Sequence, residues 1–225
     1  MSEAPAALFD VGRLRALEAP TIGVLRVDEP LVVLGSTQHV EDLDHRRLED
    51  DGIAVRRRRG GGGAVLLRPE DCWIELWLPA STDGERHDVR ATAYRVGEWW
   101  GVALGGLGLD GSVHRGAVLR AAQGAVACFA GLGPGELTVG GRKLVGLSQW
   151  RSREGALVSS VLAARPPADL ARYLAGTAAT APELRLATSL EETLRGVTVD
   201  AVAEAFVTVV RGRLGSLAVS SSTFA

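Results

Sequence analysis

Apolar residues come in two short runs near the start of the chain, Ile22, Val24, Leu25 and Val27, then Leu31 to Leu34, and predict two strands around Asp28-Glu29-Pro30. Gly35 ends the second. From His39 to Asp51, Val40, Leu43 and Leu48 stand among charged residues, the pattern of a solvated helix with a thin apolar stripe. A strand at Ile53 to Val55 runs into Arg56-Arg57-Arg58-Arg59-Gly60-Gly61-Gly62-Gly63, and the apolar Ala64 to Leu67 follow at once. Cys72 to Leu78 alternates as a strand stopped by Pro79. Val89, Ala93, Val96, Trp99 and Trp100 recur at helical spacing and predict a helix from about His87 to Leu104, ended by Gly101, Gly105, Gly106 and Gly108. Further strands are predicted at Val113 to Ala121, Val126 to Phe129, Leu137 to Val139, Lys143 to Trp150 and Ala156 to Ala163. Turns fall at Gly133-Pro134-Gly135 and Gly140-Gly141.

Pro166-Pro167 breaks the pattern, and Asp169 to Arg213 reads as helical, with Leu170, Tyr173 and Leu174, then Leu190 and Leu194, then Val202, Ala205, Phe206 and Val209. The serine-rich end, through Ser220-Ser221-Ser222, reads as frayed, and a weak helical stretch from Leu8 to Leu17 lies in a loosely attached arm. Strands dominate without strict βαβ alternation. The expected class is therefore α+β, a mixed, mainly antiparallel sheet with packed helices. The expected organisation is an arm (1–20), a core (21–165) and C-terminal helices packed on it (166–225).

A chain of 225 residues can bury a full core without staples. Its net charge of -2 argues against a nucleic-acid binder, which needs a broad basic surface. No stretch is apolar for long enough to span a membrane, and Met1 to Pro20 lacks the pattern of a secretion signal, so the expected location is the cytoplasm. Cys72 and Cys128 sit among apolar neighbours with no CxxC spacing and no His cluster. They are expected to be buried reduced thiols, and no metal site is expected. The 28 glycines are concentrated in a few loops, which directs attention there.

Two segments carry candidate chemistry. Four arginines running into four glycines combine like-charge repulsion with the entropic cost of ordering glycine, so an ordered loop of this kind needs an offsetting function. Converging backbone N–H groups and bidentate guanidinium groups suit a phosphate or carboxylate, while a flexible basic loop is the plainer alternative. The loop is neither a Walker loop nor a dinucleotide fingerprint. In Gly135-Glu136-Leu137-Thr138-Val139-Gly140-Gly141-Arg142-Lys143-Leu144-Val145-Gly146, a hairpin delivers Lys143 to the head of an apolar strand, and Gly146 leaves room over the strand face. By itself that lysine reads more readily as a surface residue with its charge in water.

Together, and in this order, the two segments resemble the lipoate–protein ligase family, whose pattern is Arg-Arg-x-Ser-Gly-Gly-Gly-Ala-Val followed by Asp-x-x-x-x-Gly-[Arg/Lys]-Lys-x-x-Gly. The second half also resembles biotin–protein ligases. The matching residues here are Arg57, Arg58, Gly61, Gly62, Gly63, Ala64 and Val65, then Arg142, Lys143 and Gly146. Leu31 to Gln38 resembles the family's Val-Val-Ile-Gly-x-x-Gln strand and turn.

The resemblance implies that lipoate or octanoate is activated by ATP to an acyl-adenylate and passed to a lysine of an acceptor domain. It makes Lys143 the catalytic residue and the other matched residues the substrate and nucleotide contacts. It also implies Mg²⁺ held mainly by phosphate oxygens, and a lipoyl acceptor domain of a 2-oxoacid dehydrogenase or glycine cleavage H protein as partner. A separate accessory ligase subunit is a further implied partner. Val65, Leu67, Val145 and Leu147 are expected to line a slot for the aliphatic tail.

Departures from the family pattern are Gly60 in place of the serine, Leu67-Arg68-Pro69-Glu70-Asp71 in place of His-Asp-x-Gly-Asn, Glu136 in place of the aspartate, and Val158-Ser159-Ser160 in place of His-His-Gly. They keep open a catalytically degenerate ligand-binding paralogue, and an octanoyl or lipoyl acyltransferase of the same fold that uses a cysteine nucleophile. On the ligase reading, glycine-loop amides carry the affinity and Gly60→Ser is expected to be tolerated.

Overall fold

The computed structural model describes residues 11–82, 88–119, 126–176 and 187–224. Helix α1 (Val11–Ala16) leads into β1 (Thr21–Val27) and β2 (Leu31–Leu34), and α2 (His45–Asp50) into β3 (Ala54–Arg57), β4 (Val65–Leu67) and β5 (Cys72–Pro79). Helix α3 (Val89–Gly106) precedes β6 (Ser112–Val113), β7 (Leu137–Val139), β8 (Arg142–Arg151) and β9 (Gly155–Leu162). The chain then runs through α4 (Leu190–Thr193) and α5 (Val199–Leu214) to β10 (Ala218–Phe224).

Two sheets result. The larger has the order β10-β1-β5-β9-β8-β7-β6 and the smaller β3-β2-β4. All neighbours in the large sheet are antiparallel except β1 and β10; in the small one β2 is parallel to β3 and antiparallel to β4. This is the mixed, mainly antiparallel α+β arrangement expected from the sequence.

All eight residues of β5 are buried, because both faces of the strand are covered. Cys72, Ile74, Leu76 and Leu78 point into the main core with α3 and α5, where Trp100 stacks on Phe206 with ring centroids 4.1 Å apart. Trp73 faces the small sheet, with Val33, Val65 and Leu67, and Trp77 packs on Leu14 of α1. The N-terminal segment is thus anchored by a fully buried Leu14, and Trp77 donates a hydrogen bond to the Leu17 carbonyl. Asp88 caps α3 by accepting from the Arg90 and Ala91 amides. The helix runs on through Gly101, Gly105 and Gly106, since its apolar face has a sheet to pack on. No described helix is long and apolar enough to cross a membrane.

Long-range pairing overrides several local expectations. Asp28-Glu29-Pro30 does not close a hairpin; it carries the chain from β1 in one sheet to β2 in the other. The helix expected from His39 to Asp51 is a 3₁₀ turn (Val40–Asp42) and a short α2, separated where Leu43 bridges to Leu174 and Asp44 caps α2. Val126 to Phe129 is not a strand. Ala127 bridges to Ala64, and Cys128–Ala130 form a 3₁₀ turn. The expected strand from Val113 shrinks to β6, with a single bridge at Leu119; its last residues lie outside the described ones. Leu170 and Tyr173 belong to a 3₁₀ segment (Pro167–Tyr173). The serine-rich end is β10, which fills the open edge of β1 through seven registered residue pairs rather than fraying.

Candidate functional site

The glycine loop leaves β3 and folds back against the Gly35–Gln38 turn, and its four arginines are used in different ways. The Arg57 guanidinium donates to the carbonyls of Gly35 (2.9 Å), Ser36 (3.4 Å) and Gln38 (2.5 Å) and so braces that turn. Gln38 completes it, accepting from the Gly35 amide and donating to the Val126 carbonyl. Arg58 turns inward and donates to the carbonyls of Val33 (3.3 Å), Gly61 (2.8 Å) and Gly63 (2.8 Å). Burial pulls its guanidinium below the ordinary arginine value, against the opposing influence of Cys128 and Glu75. Arg59 lies over the Trp150 ring. The loop is therefore ordered by its own arginines, and its like charges are separated by backbone oxygens.

Gly62 has φ +96°, and its carbonyl lies where a Cβ on Gly35 would fall, at 1.9 Å. Gly60 is also constrained. It is buried, and a Cβ there would meet Ser148 Oγ at 2.6 Å. A serine at position 60 would therefore have to move the Ser148 hydroxyl aside, a requirement that the loop's own sequence does not reveal.

Lys143 is 5% exposed at the head of β8, so it is not a surface residue. Its ammonium makes an ion pair with Glu136 Oε1 at 2.7 Å and donates to the carbonyls of Cys128 (2.7 Å) and Gly131 (3.2 Å). It stands 5.0 Å from the Phe129 ring centroid and 3.8 Å from Cys128 Sγ. Burial pulls its pKa down, but the Cys128 sulfur and the Glu136 carboxylate outweigh burial and hold it above the usual lysine value. Glu136 is itself fixed by the amides of Gly133 (2.6 Å) and Leu147 (3.0 Å). The acid of the hairpin motif and its lysine are thus one buried, hydrogen-bonded unit.

Two cavities meet beside this unit. The smaller, about 20 Å³, is a narrow space between the sheets, lined chiefly by Val33, Val65, Leu67, Trp73 and Val161, with Arg58, Gly146, Ser148 and Ser159. The larger, about 330 Å³, is lined by Lys143 and Glu136, by Gly62, Gly63, Gly131 and Gly133, and by Thr37 and Gln38. Cys128 and Leu147 line both. A Cβ on Gly146 would stand 3.3 Å from Cys128 Sγ and 3.3 Å from Lys143 Cε, so this glycine keeps the junction open.

Of the sequence-derived candidates, Arg58, Gly62, Gly63, Val65, Lys143 and Gly146 line one cavity or the other. Ala64 is buried and hydrogen-bonded through its backbone to Val126 and Cys128. Gly61 contributes a carbonyl to Arg58. Arg57 and Arg142 line neither cavity. Arg142 is directed to the Ala187 carbonyl and the Glu192 carboxylate. Of the residues expected along the slot, Val65, Leu67 and Leu147 are there, whereas Val145 faces the main core.

Cys72 is fully buried, with its thiol pushed up to about 12 by burial, but Cys128 is half-buried and opens onto both cavities. Sequence reasoning missed Cys128, Ser148, Ser159 and Trp73 as lining residues. Strand alternation would have placed the last three on one face; nothing local marks Cys128.

Behind Ser159 lies Glu75, 7% exposed, accepting from the Ser159 hydroxyl at 3.0 Å. Burial pushes its carboxyl up to about 7, against the Ser159 hydrogen bond and the nearby Arg59 and Arg58. An unfolded glutamate ionises near 4.5. Between those values the folded protein holds a proton that the unfolded chain has released. Its contribution is thus fully present below pH 4.5 and lost as pH rises to about 7, of the order of 3 kcal/mol. Urea unfolding at pH 5 and pH 8 should accordingly show a smaller loss of stability for Glu75→Gln than for the wild type. Equal losses would mean that Glu75 titrates normally. Asp71, raised to about 6 chiefly by burial, acts in the same sense in both proteins and cancels from the comparison.

The family model of the lipoyl protein ligase A/B catalytic domain matches residues 11–211. Among solved structures, a bipartite lipoate protein ligase of Thermoplasma acidophilum, described with its E2 lipoyl domain, superposes with a TM-score of 0.73 at 18% identity, over 96% of this chain and 80% of that one. A lipoate-protein ligase A bound with ATP gives 0.71 at 18% identity, over 92% of this chain and 76% of that one. A T. acidophilum protein with bound lipoic acid gives 0.70 at 18%, with the same coverage. No curated protein matches in sequence. These identities speak for the fold, and the family model spans most of the chain: the protein belongs to the lipoyl protein ligase A/B catalytic-domain family.

Proposed function

We propose that the protein is a lipoate–protein ligase-like enzyme that activates lipoate or octanoate with ATP and transfers the acyl group to a lysine of a lipoyl acceptor domain. The observation that carries this reading is the junction of the two cavities at Lys143. An acyl chain that parts the apolar walls of the smaller cavity would bring its carboxyl group to Cys128 and Leu147, within reach of the ammonium, and the larger cavity beside it, about 330 Å³, would take the nucleotide. All three ammonium protons are engaged, and the Gly131 carbonyl is the most distant oxygen partner. A substrate oxygen that displaces it gains a preorganised cationic donor where charge develops as carboxylate attacks the α-phosphate. Backbone at Gly62, Gly63, Gly131 and Gly133 allows close approach of phosphate.

Mg²⁺ would be held by phosphate oxygens, since the described residues contain no group of three or more His, Cys, Asp or Glu side chains suited to a metal. The acceptor domain, and an accessory chain of the kind a bipartite ligase uses, are the partners this reading calls for. Pyrophosphate release in the presence of Mg²⁺, ATP and lipoate or octanoate, followed by a mass gain of an acceptor domain, tests it. No release with either acid overturns it.

A second reading is favoured by Cys128, whose sulfur lies at the junction beside Lys143. Its thiolate would attack the carbonyl of an acyl thioester and expel the carrier thiol. An acceptor lysine would then displace Cys128. Cys128→Ser separates the two readings. Under the ligase reading, ATP-dependent acylation persists at the same order of rate. Under the transfer reading, an acyl–Cys128 thioester is trapped in the wild type by mass spectrometry, and acceptor labelling is lost in the variant.

A further inference from the structure

The floor of the apolar cavity contains a polar row. In the sheet register Glu75 of β5 stands opposite Ser159 of β9, and Ser159 opposite Ser148 of β8. The adjacent rows on the same face are Trp73, Val161 and Gly146 on one side and Trp77, Leu157 and Trp150 on the other. Both serines line the cavity. Ser159 is 7% exposed and donates to Glu75. Ser148 Oγ is buried and has no hydrogen-bond partner among the described residues.

A slot shaped for hydrocarbon alone is served best by alanine or valine at both positions, because a buried hydroxyl without a partner forfeits its hydration. The walls are otherwise apolar and the Arg58 guanidinium is already spent on three carbonyls, so a charged tail is disfavoured as well. What the row fits is a neutral group able to donate and accept hydrogen bonds. Resting on the acyl-slot reading above, we propose that this cavity selects a medium-chain acyl group bearing a neutral hydrogen-bonding group, of hydroxyl or urea type, held by the Ser148 hydroxyl beside the Ser159–Glu75 pair.

Calorimetric titration of the full chain with octanoate, lipoate, a series of singly hydroxylated octanoates and biotin tests the proposal. At least one polar-tailed acid should bind about 10-fold more tightly than octanoate, and that preference should fall to near unity in Ser148→Ala. The hydroxylated and biotin arms tell the two kinds of polar tail apart. Octanoate binding as tightly as every polar-tailed acid, or a preference that persists in Ser148→Ala, overturns the proposal while leaving the acyl slot in place. Binding of none of these acids overturns the acyl slot, and the proposal with it.

Discussion

On the proposed ligase reading, Lys143→Ala is expected to lower acyl transfer by on the order of 10²-fold or more, since it removes the ammonium that would meet the reacting carboxyl group at the cavity junction. It should also cost stability, an effect invisible while the lysine is considered as a residue at a strand end. Lys143 and Glu136 are 5% and 7% exposed in their side chains and 2.7 Å apart. Removing one partner leaves the other buried without its counter-charge, a loss of about 3 to 5 kcal/mol. The pair Lys143→Met with Glu136→Gln should recover much of that stability and none of the activity, because an apolar chain and a neutral amide need no charge compensation. Urea unfolding and acceptor-domain mass measurement on the same preparations check both halves. Full transfer by the double variant would take Lys143 out of the chemistry, and unchanged stability of Lys143→Ala would mean that the pair is solvated. Lys143→Arg should not restore transfer, since a planar fork does not fit a point donor's place among Glu136, Cys128 and Gly131.

Arg58→Ala is the other substitution with a large expected effect. The guanidinium holds three backbone carbonyls, one from β2 and two from the glycine loop, and stands on the wall of the apolar cavity. Its removal leaves those oxygens to find water or remain unpaired, at about 3 kcal/mol in sum. It also unties the loop from the strand it covers. Because the group is buried, the loss should be nearly the same in low and in high salt. A surface arginine that attracts an anion would behave oppositely, with an effect that fades as salt rises. That salt-sensitive behaviour is the natural expectation from four consecutive arginines in sequence. Denaturation at two ionic strengths decides between a brace for the loop and an electrostatic attractor. Arg58→Lys should rescue little, since one ammonium cannot span three divergent carbonyls.

The sequence alone determined the parts of this protein that depend on local periodicity and residue type. The strands β5, β8 and β9 and helix α3 are written in spacings of two and of three to four residues. The Gly140-Gly141 turn and the lysine at the head of β8 follow from the hairpin motif, and the arginine–glycine loop announces itself by composition. Period-two alternation assigns a side chain to a face. It carries no information about which strand lies alongside, and that was decided by tertiary structure alone: β1 and β2 part into different sheets, and β10 pairs with β1 across nearly the whole chain.

The same reason explains the site. That Arg57 and Arg58 are spent on carbonyls, that Arg142 turns to Glu192, and that Cys128 opens onto the cavities depends on where backbone oxygens and turns fall, which residue type does not encode. Glu75, Ser159 and Ser148 are unremarkable in three separate strands. Only strand register sets them side by side in a buried row, where low exposure turns ordinary side chains into a hydrogen-bonded carboxyl, its hydroxyl donor and a hydroxyl with no partner among the described residues.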